Sequence, residues 1–185
     1  MPVPSAEFKK ALKRLPDAEK EKLLLRAVRR DAELYETLVF ELLPDVTTEQ
    51  VYEQASDRIH ELFNVAVTGR LLNRSLNKAL GKAVKETARA RRITKDKRLE
   101  IDLNLYALRL IFDNYTGQFD SPYAGFFTST ARLTARTTQL VISNLHEDLW
   151  LEYKAELDDF LSQLHGRSKS RSLKFELPRE LVLPD

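Results

Sequence analysis

The chain has 185 residues, 43% hydrophobic and 31% charged, with 5 Gly and 7 Pro; this is the profile of an element-rich folded domain that buries about 70% of its extended surface, and it excludes a disordered segment. The absence of cysteine excludes disulfides, thiolate chemistry and cysteine-held zinc or iron–sulfur centres; no secretory leader is legible and no apolar run reaches the roughly 18 to 20 residues of a membrane span, so a soluble, cytoplasmic chain is expected. Net charge is only +2, yet the signs are segregated: residues 8–30 hold nine basic and three acidic side chains, 31–68 one and nine, 69–98 eleven and two, and 99–165 four and ten.

Ser5 is the expected N-cap of a first short helix, in which Phe8, Ala11, Leu12 and Leu15 recur at helical spacing before Pro16. Asp17 is the expected cap of the next. Leu23, Leu24, Ala27 and Val28 give that helix its apolar side, and Asp31 restarts a segment with Leu34, Leu38, Val39 and Leu42 that ends at Pro44. Thr47 and Gln50 form the pattern of a capping box for a longer helix with Val51, Ala55, Ile59, Leu62, Phe63 and Ala66 on one side. Thr68-Gly69 interrupts it, because Gly costs about 1 kcal/mol inside a helix; residues 48–92 are one bent helix or two.

From Gly69 the stretch "GRLLNRSLNKALGKAVKETARARR" begins a basic helix over 69–98. At about 100° per residue, Arg70, Arg74, Lys78, Lys82, Lys85, Arg89 and Arg92 fall within roughly 120°, opposite Leu72, Leu76, Ala79, Leu80, Ala83 and Val84. The row is about 33 Å long at 1.5 Å per residue. Residues 99–117 alternate apolar positions briefly, as a strand would, but Leu99, Leu103, Tyr106 and Leu110 continue at helical steps and predict a buried helix. Ser121-Pro122 is expected to open the next helix, with Pro at its first position. The last helix runs from Glu147 to His165 with Leu149, Trp150, Tyr153, Leu157, Phe160, Leu161 and Leu164 on one side, and Gly166 as its stop.

The expectation is therefore an all-α chain of about seven helices in antiparallel pairs, as an irregular helical bundle or a short HEAT-like right-handed array. One domain would cover residues 1–165, and 166–185 would be a flexible or loosely docked tail. "FKKALKRLPDAEKEKLLLRA", the segment up to "ELLPD" and "YALRLIFDNYTGQFDSPYAGFF" together resemble an uncharacterised family of all-helical bacterial proteins over about Phe8 to His165. The resemblance lies in helix spacing and aromatic placement and implies the fold alone.

No constellation in the sequence carries chemistry. His60, His146 and His165 are scattered and lack a second histidine four residues on, so a helical zinc pair is not expected. Asp148, Glu152, Glu156 and Asp159 share a face that reads as solvated rather than as a magnesium or calcium site. No serine sits in a nucleophile-elbow pattern and no Gly-rich phosphate loop is present. Thr128, Ser129, Thr130, Thr134, Thr137 and Thr138 suit close helix packing, and the aromatics from Tyr106 to Phe127 suit a core seam. No cofactor, metal or small-molecule ligand is predicted.

Two readings remain. The main one is a non-enzymatic helical protein-interaction or scaffold module that binds a protein partner or itself. The alternative is a nucleic-acid or polyanion binder that uses the basic helix, with contacts to the backbone because Asn73 and Asn77 are its only base-reading candidates. A membrane surface fits poorly, as the apolar side of the helix is Ala-rich and lacks Trp and Phe. The two interaction readings turn on a second row, Glu49, Glu53, Asp57 and Glu61, at the same four-residue spacing on the preceding helix. Either that row answers the basic ridge by salt bridges, or the ridge is free.

Overall fold

A computed structural model describes residues 3–168 and 173–182, apart from the side chain of Arg70. Among these residues the regular structure is entirely helical, in chain order α1 (Ala6–Arg14), α2 (Asp17–Val28), α3 (Ala32–Leu42), α4 (Thr48–Phe63), α5 (Arg70–Thr94), α6 (Lys97–Asn114), a 3-10 turn (Thr116–Asp120), α7 (Gly125–Asn144) and α8 (Glu147–Ser168). The expected helical class is thus present, with eight α-helices where about seven were predicted.

The boundaries follow the caps. Ser5 accepts from the Phe8 amide, Asp31 from Glu33 and Leu34, and Thr47 and Gln50 complete a reciprocal capping box. Asp17, expected as a cap, is instead the first residue of α2, and Pro16 precedes it with no side-chain bond. Asp17 and Glu19 then complement the helix dipole from its first turn. Gly69, at φ 64°, separates α4 from α5. An L side chain is disfavoured at that φ, and the non-helical Asn64–Gly69 segment makes 48–92 two helices.

Asp96 divides what the sequence suggested was one basic helix to residue 98. Its carboxylate accepts from the amides of Arg98 (2.8 Å) and Leu99 (3.3 Å), so Lys97 and Arg98 belong to α6. Ser121 does not open α7. Its hydroxyl accepts from the Tyr123 amide in a tight turn, and the helix begins at Gly125 after an Ala124 cap. Gly166 does not stop α8, which continues to Ser168.

The sequence suggested one domain to residue 165 and a tail from 166; the contacts group the chain as two compact units, Met1–Val46 and Thr47–Asp185. In the first unit, α2 and α3 pack on each other. None of its described residues is buried.

The second unit holds the core. α4 packs on α5 and α6, α5 also on α6 and α7, and α7 on α6 and α8. Ile59, Leu76, Leu80, Ile101, Leu108, Ile111, Phe126, Phe127, Leu157 and Leu161 are fully inside. Phe119 touches Phe112, Phe126 and Phe127 at ring-centroid distances of 5.6 to 5.7 Å, and Phe112 stacks on Phe160 at 4.2 Å. Phe112, Phe119, Phe126 and Phe127 are therefore core, as their spacing suggested, whereas Tyr106 and Tyr115 are half-buried and Tyr123 of the same expected seam is 49% exposed. Thr130, Thr134, Thr137 and Thr138 are buried on α7, and each hydroxyl donates to the carbonyl four residues earlier, which leaves their methyls for packing.

The segment after α8 is docked where it is described. Leu177 and Leu181 are buried, the Leu181 amide donates to Asp158 at 2.7 Å, and Lys154 Nζ donates to the Leu181 carbonyl at 2.6 Å. His165 Nε2 lies 2.9 Å from the Pro178 carbonyl oxygen. Residues 173–182 thus close over α8 by apolar burial and paired polar groups.

Candidate functional site

α5 is amphipathic because Leu76, Ala79, Leu80, Ala83, Thr87 and Ala90 recur on one side, and all six are buried. Its opposite side carries the predicted ridge. Arg74, Lys78, Lys82 and Lys85 are exposed, and among the described residues no carboxylate pairs with any of them. Arg89 is half-buried and bonded to Glu86, and Arg92 also has an interaction within the chain. Arg70 opens the helix, but its side chain lies outside the described residues. The ridge as described is therefore four cations over about 16 Å of helix.

The acidic row does not answer it. Glu49, Glu53, Asp57 and Glu61 are all exposed, and none is paired with an α5 cation. The physical reason is helical phase. α4 meets α5 through Arg58, whose Nε lies 3.2 Å from Glu86 Oε1; at about 100° per residue Glu49, Glu53 and Asp57 sit about 180°, 140° and 100° round from Arg58, and only Glu61, about 60° away, is near the α5 side. The row leans instead towards α6. Glu49 shares a small cavity with Tyr52, Asp102 and Arg109, and Asp57 helps to raise the Tyr106 hydroxyl pKa, after the larger effect of burial.

α7 supplies a second bank beside the ridge. A groove of about 460 Å³ runs between α5 and α7, lined by Asn77, Leu80, Gly81, Val84 and Lys85 on one side and Ser129, Arg132, Leu133 and Arg136 on the other. A second cavity of about 540 Å³ shares Asn77 and includes Arg74 and Tyr123. Arg132 is exposed and lies over the Phe175 ring at 5.6 Å. No acidic residue occurs between Asp120 and Glu147, a signal that was present in the sequence and would have marked α7 as the other bank.

Beneath the groove, Glu100 of α6 is 1% exposed. Arg136 Nη2 from α7 donates to its Oε1 at 2.6 Å, and Arg91 Nη1 from α5 lies 2.7 Å from its Oε2. The second contact is an ion pair at an angle that does not make a hydrogen bond, which leaves Oε2 without one. Burial of a carboxylate demands such compensation, so this arrangement ties three helices together.

A polar seam joins α6 to α8. The Tyr153 hydroxyl donates to Asp102 at 2.9 Å, Arg98 pairs with Glu152 at 2.8 Å, and Arg109 pairs with Glu156. Burial raises the Asp102 pKa, opposed by the Tyr153 hydrogen bond and by Arg98. Burial, then the bond to Asp102, pushes the Tyr153 hydroxyl up to about 12. Glu152, Asp148 and Asp159 are exposed, as expected of a solvated acidic face of α8, while Glu156 is half-buried; Glu152 and Glu156 each also pair with an α6 arginine. His60 lies 3.3 Å from the Tyr106 hydroxyl, and His146 is paired locally with Asp148.

These pairs hold helices in register, and Asp102 and Arg109 also line the small cavity shared with Glu49 and Tyr52. No helix among the described residues is long and apolar enough to cross a membrane. No family model, curated protein or solved structure matches the chain.

Proposed function

We propose that the chain is a non-enzymatic helical interaction module, acting in the cytoplasm, that docks through residues 1–46, with a second copy of itself as the partner. One observation carries this reading: no described residue of that unit is buried, although Phe8, Leu23, Leu24, Leu25, Tyr35, Leu42 and Leu43 are large, apolar and between 42% and 68% exposed. Contiguous apolar surface of this kind marks interaction sites on folded proteins. Between α2 and α3 it forms a groove of about 280 Å³ lined only by Leu24, Leu25, Val28, Tyr35, Leu38, Val39, Leu42 and Leu43.

A second copy fits the charge. Residues 8–30 carry nine basic and three acidic side chains, and 31–46 carry five acidic and none basic. α2 itself is balanced, with three basic and three acidic side chains, and the excess lies in α1 and at Arg29 and Arg30; a twofold pair that lays these flanks of one chain against α3 of the other brings unlike charges together beside the apolar seam. We read the second unit as a short, irregular HEAT-like stack of the pairs α4–α5 and α6–α7, since α4 touches α6 and α5 touches α7, as equivalent helices of neighbouring repeats do.

Sedimentation of the full chain over a concentration series tests the reading, beside a Leu25→Glu/Leu42→Glu variant whose helicity is checked by circular dichroism. Concentration-dependent association in the wild type, weakened at least about tenfold in the variant, is the expected result. A wild type that stays monomeric throughout, or a variant that associates equally well, overturns it.

A further inference from the structure

We propose that the groove between α5 and α7 binds the phosphodiester backbone of a nucleic acid without sequence readout. The charge layout on both banks carries this. Residues 70–94 hold eight basic side chains and a single acidic one, Glu86, while 121–146 hold Arg132, Arg136 and no acidic residue. Glu86 is turned away, engaged by Arg58 and Arg89, and Glu100 lies beneath the groove, neutralised by Arg91 and Arg136. Lys85 and Arg132 line the groove and Arg74 the adjoining cavity, while Lys78 and Lys82 continue the row along the exposed side of α5; together these five cations set the field along the two banks.

The form of the ligand follows from the spacing. Four cations along about 16 Å of α5, with a fifth across the groove, match a linear array of charges better than a single compact anion. Low-dielectric walls at Leu80, Val84 and Leu133 focus that field. Neutralising phosphates releases condensed counterions, so such binding falls steeply with salt. Asn77 is the only amide lining the groove, which favours backbone contact over base recognition. This inference rests on residues of the second unit alone and is independent of the docking role proposed for residues 1–46.

Gly81 supplies a clean test. It lies in the groove on the exposed side of α5, and a Cβ there would meet nothing within 4 Å. Gly81→Glu improves helix propensity by up to about 1 kcal/mol, so the variant folds, yet it places a carboxylate between the two banks. Full-length wild type, Gly81→Glu, Lys78→Glu/Lys82→Glu/Lys85→Glu and Arg132→Gln are titrated into labelled duplex DNA, single-stranded DNA and single-stranded RNA of equal length at several salt concentrations. Polyglutamate is the control polyanion.

With all five cations engaged, log affinity against log salt has a slope of about −4.5 for duplex and about −3.5 for single strands. Gly81→Glu and the triple variant each weaken binding at least about tenfold, and Arg132→Gln makes the slope shallower by about 1. The tightest arm names the source of the backbone. Binding that ignores salt, a triple variant that binds as well as the wild type, an Arg132→Gln slope equal to the wild-type slope, or polyglutamate bound as tightly as any nucleic acid overturns the proposal.

Discussion

Arg58 is the only basic residue between 31 and 68, and Glu86 the only acidic one in α5, and these two minority charges meet at 3.2 Å. Each helix directs its exception to the interface and its majority elsewhere. The pairing fits the rotation of α4 that buries Ala55, Ile59 and Phe63, and that rotation separates the acidic row from the basic ridge. Reversing one partner, as Arg58→Glu or Glu86→Arg, therefore destabilises the fold by about 1 kcal/mol, because the pair is half-exposed. The double reversal Arg58→Glu/Glu86→Arg recovers most of that loss. Urea denaturation of the two singles and the double gives the coupling directly.

Glu100 carries a larger effect. Removal of one member of a buried ion pair typically costs about 3 to 5 kcal/mol through the charge left behind. Here the residues left behind, Arg91 and Arg136, are 41% and 47% exposed and can turn to water. Glu100→Gln is accordingly expected to cost about 2 kcal/mol, read as a lower urea midpoint at unchanged slope.

Alkaline pH probes the α6–α8 seam. Tyr153 ionises near its ordinary value of 10.0 in the unfolded chain and at about 12 in the folded one. Between those values the folded state keeps a proton that the unfolded state has lost, so stability falls as pH rises from about 10 to about 12, by an amount on the order of 2 kcal/mol. Tyr153→Phe abolishes this portion of the alkaline loss, measured as the melting temperature across that range. The same variant removes a hydrogen bond that lowers the Asp102 pKa, so that the already raised carboxyl titrates higher still. Carbon-detected NMR of the Asp102 carboxyl reads this shift.

The segment after α8 is a structural strap. Leu177 and Leu181 are buried, and burial of a leucine contributes about 1.5 to 3 kcal/mol. Leu177→Ala/Leu181→Ala is expected to destabilise the chain by about 3 to 5 kcal/mol in denaturant titration, rather than leaving it unchanged as a loose tail would.

The legible parts of the fold were those set by local chemistry. Capping at Ser5, Asp31 and Thr47–Gln50, the break at Gly69 and the aromatic seam were each readable from residues a few positions apart. Tertiary partners decided the rest. Asp96 reads as another charge in a basic run until it is seen to cap α6, and Ser121-Pro122 has the chemistry of a helix start but serves a turn.

The ridge could be phased from sequence, and four of its seven cations stand exposed and unpaired among the described residues. Whether the acidic row answered it depended on the rotation of α4, which spacing within one helix cannot supply. Glu100 was hidden for the same reason: only contact with Arg91 and Arg136 distinguishes it from any other glutamate on a charged helix.

The shared carboxylate also bears on how the core breathes. Because Glu100 is held from α5 and α7 at once, neither helix can separate from α6 without stripping a counter-charge from a buried ion. The slowest-exchanging backbone amides of all three helices should consequently open in one concerted event, and loosening α5 should be felt across the groove in α7 before either helix has unwound.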